Sequence, residues 1–188
     1  MKIKDEGKFK GVVEINFEPH LDERGFFMRV YDKGIFRHHR INAKWVQENH
    51  SFSRNKGTLR GLHFQYPPCA EGKMIRVLRG RVFFAFLDLR RNYPTFGKWG
   101  SVILDEDVPT AVFLPRGFAL GLCTLTDNCG LYYWMDNYYS PEKQGVIKWD
   151  DPDLKIEWPI GSPTVISEKD KNGISFKEFV ERSGGIVA

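Results

Sequence analysis

The sequence lacks the features that mark several large classes of protein. It has three cysteines in 188 residues, and none of them forms a C-x-x-C pair. An odd number of scattered cysteines (Cys69, Cys123 and Cys129), without a signal peptide, predicts reduced thiols in a cytoplasmic protein rather than a disulfide framework. The apolar runs, of which 82–87 is among the longest, are far too short to cross a bilayer, so a membrane protein is not expected.

An excess of charge of one sign is also missing. The formal net charge is +4, and the lysines and arginines are scattered along the chain. The densest basic cluster, R-H-H-R at 37–40, is short. Because nucleic-acid binding needs a continuous basic patch or stripe, this distribution disfavours a nucleic-acid partner. It is compatible with a small anionic ligand held by a few basic side chains.

Histidines in metal-ligand spacing are absent as well. None of the five histidines belongs to an H-x-H, H-x-x-x-H or H-x-x-E pair on a plausible strand. A metal-binding β-barrel of the cupin type would carry H-x-H and a later P-x-G-x-x-H. Here Gln65 stands at the second ligand position after His63, and Leu120 ends the later motif. The sequence therefore predicts no metal site. It also has no G-x-S-x-G elbow and no G-x-x-x-x-G-K phosphate loop.

Short apolar and aromatic runs separated by turn residues dominate the chain. Aromatic residues make up 14% of it, including 15 Phe, which suits a β-rich fold. The predicted strands are 9–17, 26–31, 45–53, 57–65, 73–78, 81–89, 99–104, 110–114, 118–125 and 131–136. With a loop at 19–25 and only short helices, at 33–40 and in a tail at 176–181 that follows a capping sequence at 167–170, this pattern predicts an all-β sandwich or barrel in one domain.

The stretch G-T-L-R-G-L-H-F-Q at 57–65 holds the densest set of chemically versatile side chains. In a regular strand, alternation points Arg60 and His63 to opposite faces. A bulge at Gly61 would bring both into one cavity, and glycine inside a strand often marks a bulge. A proton-transferring histidine beside an anion-binding arginine and a core histidine beside a surface arginine fit the stretch equally well.

General acid–base chemistry is the reaction type that these residues support best. It needs a base that titrates near neutral pH, a carboxylate that orients it, and an acid on the far side of the substrate. His63 is the candidate base. Asp170 is a candidate orienting partner, although from the sequence alone a helix-capping role explains it better. Arg24, Arg60 and Lys73 are candidate anion-binding groups, and each of them alone is better explained as a solvated charge.

Taken together, the motifs resemble the dTDP-4-dehydrorhamnose 3,5-epimerases, a family of metal-free cupins. The matching segments follow the family's order: D-E-R-G-F-F at 22–27, V-Q-E-N-H-S at 46–51, L-R-G-L-H-F-Q at 59–65, G-K at 72–73, D-L-R at 88–90, P-T-F-G at 94–97, N-Y-Y-S-P at 137–141, W-D-D at 149–151, E-W-P at 157–159 and S-E-K-D at 167–170. The resemblance implies a cupin-type jelly roll with short peripheral helices. Residues 1–188 would form one domain with a peripheral tail from about residue 172. A homodimer that needs no cofactor is expected.

The resemblance also implies roles for individual residues. His63, paired with Asp170, would remove a proton beside the C4 ketone of a dTDP-linked 4-keto-6-deoxy sugar. Lys73 would stabilise the enolate, and Tyr133 would return a proton on the opposite face, so that C3, C5 or both are inverted. The implied substrate-binding residues are Arg24, Phe27, Gln47, Asn49, Ser51, Arg60, Gln65 and Tyr139.

Three positions depart from the family's usual residues. Phe84 replaces an acid, Leu120 replaces a histidine and Trp134 replaces a lysine. These changes indicate either an altered sugar pocket or, for Phe84 and Leu120, a neutral exchange of a buried pair beneath the site. Alternatives to the double epimerase are a C3-only or C5-only epimerase on a different sugar nucleotide, a 3,4-ketoisomerase, and a non-catalytic cupin that binds sugar nucleotides.

Overall fold

A computed structural model describes residues 1–5 and 7–187 of the chain. Its strands are β1 (Lys2–Asp5), β2 (Val13–Asn16), β3 (His20–Asp22), β4 (Gly25–Phe27), β5 (Gln47–Ser53), β6 (Thr58–Gln65), β7 (Lys73–Arg79), β8 (Arg81–Asp88), β9 (Trp99–Asp105), β10 (Thr110–Leu114), β11 (Phe118–Thr124), β12 (Cys129–Met135), β13 (Gln144–Val146) and β14 (Val165–Ile166). The helices are α1 (Lys33–His38), α2 (Glu168–Lys171) and α3 (Phe176–Ser183), with a 3-10 turn at Pro141–Lys143. The all-β prediction with short helices is confirmed.

Two sheets face each other across a shared core. The first has the order β1-β2-β10-β7-β12-β5, and the second has the order β13-β6-β11-β8-β9, with β14 added beside β6. Alternate residues of their strands point inward, so the core between them contains Ile75 and Leu131 from the first sheet and Val82, Phe84 and Leu122 from the second. At one end this apolar core gives way to polar inward-facing side chains, and a cavity opens there.

The outer faces of both sheets are covered by other parts of the chain. Phe36 of α1 and the nearby Ile41 pack on the outer face of the first sheet, against Ile15 and Met74. The C-terminal segment covers the second sheet, where Phe179 of α3 lies in a cluster with residues of β6 and β8. We expected the tail after about residue 172 to be peripheral. Phe179 is nevertheless fully buried, because its ring packs within this cluster.

The N-terminal third departs most from the predicted elements. A first strand at 9–17 is wrong in extent, because only Val13–Asn16 pairs with β10 while the earlier β1 supplies a second, edge strand. The predicted loop at 19–25 and strand at 26–31 are replaced by a short hairpin in which β3 pairs with β4. The hairpin is exposed along its whole length, so its aromatic residues Phe26 and Phe27 remain largely uncovered.

The short helix α2 fixes the position of Asp170. The Ser167 hydroxyl caps α2 by accepting a hydrogen bond from the Asp170 N–H, and a separate cap, Ser175, begins α3. The predicted capping sequence at 167–170 and the predicted helical tail at 176–181 are both present, but the cap begins a separate short helix, α2, and residues 172–175 divide it from α3. Among the described residues, no helix is long and apolar enough to span a membrane.

Candidate active site

A cavity of about 450 Å³ lies between the two sheets. Nine of the residues predicted for the site line it: Gln47, Asn49, Ser51, Arg60, His63, Lys73, Leu120, Tyr133 and Tyr139. They come from both sheets and from the turn after β12. Residues more than eighty positions apart in sequence, such as Gln47 and Tyr133, meet here because β5 and β12 are neighbours in the first sheet.

The bulge predicted at Gly61 is confirmed. His63 pairs with Leu120, and Arg60 pairs with Leu122. Between these two pairs β6 therefore has one residue more than β11, which is the definition of a bulge. Gly61 has φ +105°, and a Cβ at this position would lie 2.4 Å from the Leu120 carbonyl oxygen. Only glycine fits such a conformation without strain. The bulge turns Arg60 and His63 toward the same cavity.

On the second sheet, His63 is paired with a buried carboxylate. Its Nε2 lies 2.5 Å from Asp170 Oδ1, and the Asp170 side chain is 5% exposed. Burial raises the pKa of the Asp170 carboxyl, but the hydrogen bond and charge of His63, with hydrogen bonds from Ser167 and Gly61, outweigh burial and leave this pKa below its ordinary value. Asp170 is thus a stable carboxylate that accepts the Nε2 proton, which leaves Nδ1 of the neutral ring as the basic nitrogen.

On the first sheet, Lys73 and Tyr133 face the cavity from the opposite side. Lys73 begins β7, Tyr133 lies on the adjacent β12, and the register pairs Tyr133 with Ile75 and Met135 with Lys73. Alternate residues of β5, β7 and β12 therefore form a wall of mixed polarity opposite His63, on which Lys73 and Tyr133 are the groups that could exchange or stabilise charge. The arrangement places a candidate base on one wall and a candidate acid and a cation on the other.

The end of the cavity near the chain's surface carries a linked set of polar side chains. Gln47 Oε1 accepts a hydrogen bond from the Tyr139 N–H at 3.0 Å, and the Tyr139 hydroxyl donates to Gln144 Oε1 at 2.7 Å. Arg60 lines the cavity further along the strands, where its Nε donates to Ser53 Oγ, at the other end of β5 from Gln47, at 3.3 Å. The amide groups and the aromatic ring of Tyr139 therefore lie at one end of the cavity and the guanidinium of Arg60 lies toward the other.

Several lining residues were not expected from the sequence. They are Glu71, Ile75, Leu122, Leu131, Met135, Gln144 and Lys169. Glu71 forms an ion pair with Lys73, with 2.7 Å between Oε1 and Nζ. Strand alternation could have identified Ile75, Leu131 and Met135, since they share a face with Lys73 and Tyr133. Lys169, adjacent to Asp170, could have been found from the position of that carboxylate.

Three predicted site residues lie nearby but do not line the cavity. Phe84 is fully buried in the core. It is paired with Leu122 of the neighbouring strand, so it packs beside a residue that lines the cavity. Gln65 is 3% exposed and lies behind the cavity. Trp134 was expected to alter the sugar pocket, and this is wrong: it points to the outer face of the first sheet, toward Phe36, because alternation places it opposite Tyr133.

Arg24 and Phe27 also lie outside this chain's cavity. Both belong to the exposed hairpin, where Phe27 is 68% exposed and Arg24 pairs with Asp22 at 2.6 Å. Within residues 1–5 and 7–187, no group of three or more His, Cys, Asp or Glu side chains could hold a metal ion.

The family model for dTDP-4-dehydrorhamnose 3,5-epimerase matches residues 6–178. The chain belongs to the dTDP-4-dehydrorhamnose 3,5-epimerase family. It is therefore a carbohydrate epimerase, an enzyme of the isomerase class. A curated dTDP-4-dehydrorhamnose 3,5-epimerase from Shigella flexneri is 43% identical over 164 residues, which cover 85% of this chain and 89% of that protein.

Solved structures of the family share the fold of this enzyme. The dTDP-4-dehydrorhamnose 3,5-epimerase of Bacillus anthracis, crystallised with TDP and PPi, has a TM-score of 0.89 and 36% identity, with 93% of this chain and 98% of that chain covered. A 3'-monoepimerase of Streptomyces bikiniensis, in complex with dTDP-quinovose, has a TM-score of 0.85 and 29% identity, with 96% and 90% covered. The cupin-type fold is thus shown.

Proposed function

We propose that this enzyme inverts C3, C5 or both of a dTDP-linked 4-keto-6-deoxy sugar by transferring protons between the two walls of the cavity. The observation that carries the proposal is the placement of His63 with Asp170 on one sheet and of Tyr133 with Lys73 on the other. A stereocentre is inverted when a proton leaves one face of a carbon and another returns to the opposite face. Two walls that carry a base and an acid meet that requirement.

The reaction begins at His63. The C4 ketone acidifies the hydrogens on C3 and C5, and Nδ1 of His63 takes one of them while Nε2 remains bonded to Asp170. The carboxylate fixes the tautomer and stabilises the imidazolium that forms. Because the Asp170 side chain is 5% exposed, water does not compete strongly for this hydrogen bond.

The electron pair left by the proton moves into the C4 carbonyl, which becomes an enolate oxygen. Lys73 supplies a positive charge for it from the opposite sheet, inside a cavity where such a charge acts more strongly than in water. The Tyr133 hydroxyl then returns a proton to the other face of the carbon. The tyrosinate regains its proton from solvent, and His63 loses its own.

The other lining residues suit a nucleoside diphosphate. Arg60 and Lys169 provide cations for the two phosphates, and an arginine can grip phosphate oxygens in pairs. Gln47, Asn49 and Tyr139 supply amides and an aromatic ring for the base. This division assigns the sugar to the part of the cavity near His63 and the nucleotide to the other lining residues.

We further propose that the enzyme is a cytoplasmic homodimer and that the hairpin of one copy completes the cavity of the other. Leu21 is 78% exposed and Phe26 66% exposed, which leaves a contiguous apolar surface on a three-residue-per-strand hairpin. In a symmetric dimer, Arg24 and Phe27 of a second copy would then contact substrate. Mixing the inactive variants Arg24→Ala and His63→Ala should restore about a quarter of the activity, since the two halves of a site can then come from different copies. No recovery on mixing would contradict the shared site.

Incubation with dTDP-4-keto-6-deoxyglucose in deuterated water tests the reaction itself. We expect deuterium at C3, C5 or both, read by mass spectrometry and NMR, and inverted product. His63→Ala should lower the exchange rate by at least about 10²–10⁴-fold while dTDP still binds. Measurable binding without exchange on any 4-keto sugar would contradict the epimerase and favour a non-catalytic binding protein. Movement of the ketone to C3 would favour a 3,4-ketoisomerase.

A single-centre epimerase is a second candidate, and two apolar side chains of the cavity favour it. Leu120 and Leu122 are the neighbours of His63 and Arg60 on the adjacent strand β11, so the carbon beside the base meets alkyl groups that cannot hydrogen-bond a hydroxyl. Such an apolar surface suits a deoxygenated ring position. Deuterium at one carbon only, together with faster exchange on a sugar nucleotide that lacks the adjacent hydroxyl, is the expected signature. Equal labelling of both carbons would contradict this second candidate.

A further inference from the structure

Glu71 lies in the cavity, and the reaction outlined above does not use it. Its side chain is 7% exposed, and it pairs with Lys73, whose side chain is 12% exposed. Among the described residues that line the cavity, it is the one carboxylate, whereas Arg60, Lys73 and Lys169 are cations. A negative charge in a site that must accept a diphosphate calls for a specific role.

The carboxylate of Glu71 is held from behind by a buried amide. Gln65 Nε2 donates to Glu71 Oε2 at 3.1 Å, and the same nitrogen contacts the carbonyl oxygens of Cys69 at 2.8 Å and Tyr138 at 3.1 Å. Gln65 Oε1 in turn accepts the Ser140 N–H at 2.7 Å. One oxygen of Glu71 therefore faces Gln65 and the other faces Lys73.

Lysine carries its ammonium on a flexible four-carbon stem with three rotatable donors, so a cation at the start of a strand is not fixed by itself. An anchored carboxylate 2.7 Å away removes most of that freedom and directs the remaining N–H groups into the cavity. We infer that Glu71 is a positioning residue: held by Gln65, it fixes the Lys73 ammonium at the place where the enolate oxygen forms. The inference rests on the proposed function.

A merely stabilising ion pair and a direct contact with substrate both fit less well. A poorly solvated ion pair often contributes little to folding, since desolvation offsets the attraction. Both oxygens of Glu71 already have partners, and its charge would repel a phosphate. Loss of the carboxylate should therefore slow the chemical step much more than it weakens binding.

Glu71→Gln tests this role, because one carboxylate oxygen becomes an amide donor and the side chain can no longer accept from both Lys73 and Gln65. We expect kcat for deuterium exchange to fall about tenfold to a hundredfold, as for a misplaced catalytic group. KM should stay within about threefold, since ground-state binding is largely unchanged. Binding of dTDP, which carries no ketone, should be at least as tight as in the wild type, and it reports that the variant is folded.

Two further variants separate positioning from other effects. Glu71→Asp keeps the charge on a shorter stem and should recover part of the lost rate. Glu168→Gln removes a comparable Lys–Glu pair in solvent, where Glu168 is 80% exposed and 2.6 Å from Lys171, and should change neither kcat nor KM. In a Lys73→Met background, adding Glu71→Gln should alter kcat by less than about twofold, because Glu71 acts through Lys73.

Three results would overturn the inference: an unchanged kcat in Glu71→Gln, a raised KM at unchanged kcat, or a full effect of Glu71→Gln without Lys73. If the wild-type enzyme exchanges deuterium and Glu71→Gln exchanges it equally fast, the inference fails alone. If the wild-type enzyme exchanges with no 4-keto sugar, the proposed function fails and the inference fails with it.

Discussion

The two walls of the cavity each carry a charged or basic group with a fixed carboxylate, but they are built in different ways. His63 meets Asp170 from a helix 107 positions away in sequence, and the bulge at Gly61 is needed to turn the imidazole toward the cavity. Lys73 meets Glu71 two positions away, on a strand without a bulge at that point. The first pair depends on the whole fold, whereas the second depends on one short turn and a buried amide.

This difference bears on what each carboxylate does. In the proposed reaction Asp170 contacts the ring that accepts the proton, so we expect its effect on catalysis to be electronic as well as geometric. In the same proposal Glu71 contacts Lys73, which takes no part in the proton transfer, so we expect the effect of Glu71 to be mainly one of position. We therefore expect changes at the His63–Asp170 pair to slow deuterium exchange more than changes at the Lys73–Glu71 pair.

Asp170→Asn should give the largest effect. An amide can donate to Nε2 and thereby stabilise the tautomer in which Nδ1 is protonated and cannot act as a base. Exchange should fall by about 10²–10⁴-fold, against about tenfold to a hundredfold for Glu71→Gln. The measurement is kcat for deuterium exchange in both variants under one set of conditions. Equal losses in the two variants would contradict the proposed difference between the pairs.

Gly61→Ala should come next, because it disrupts the backbone that only the first pair requires. At φ +105° a side chain is strained, and its Cβ would lie 2.4 Å from the Leu120 carbonyl oxygen. We expect about 1–3 kcal/mol of destabilisation from the backbone strain, together with a slower exchange that falls less than in Asp170→Asn. Gly161→Ala is the matched control, since no atom lies within 4 Å of a Cβ there. Thermal unfolding that is equal in both variants would show that the bulge tolerates a side chain.

The smallest expected effect is the pH dependence of folding that comes from Asp170. The pKa of this carboxyl is below its ordinary value of 3.8, so the folded state favours the carboxylate. The stabilisation is complete above the ordinary pKa and is lost as the pH falls through the lower folded pKa. Its slope cannot exceed about 1.4 kcal/mol per pH unit for one proton. Asp170→Asn should lack this part of the acid dependence, as measured by urea unfolding between pH 2 and 6. A parallel pH dependence in both proteins would contradict it.

Much of the fold followed from local pattern. The alternation of apolar residues and the turn signals located β6 to β12 closely, and the glycine inside β6 indicated the bulge. The N-terminal hairpin did not follow, because its aromatic residues are largely exposed, whereas in sequence alone they resemble a buried strand. Phe179 was likewise missed as a core residue, since a short tail gives no sign of what it covers.

The site residues likewise fall into those that a local pattern places and those that it does not. Strand parity places Gln47, Asn49 and Ser51 on one face, and it also excludes Trp134 from the face that carries Tyr133. No local pattern joins His63 to Asp170, so only the resemblance to the family brought them together before the structure did. Glu71 was overlooked for the opposite reason. It is so near Lys73 in sequence that the pair looks like two solvated charges, and only their burial distinguishes it.

The most direct test of the central claim, that base and acid act from opposite walls, is the labelling pattern of Tyr133→Phe in deuterated water. With the acid removed and His63 intact, deuterium should enter the reactive carbon with retained configuration, returned by the same imidazole that removed the proton. Inverted product should form at least about 10²-fold more slowly than in the wild type. Inversion at the wild-type rate, or loss of exchange together with inversion, would contradict the account.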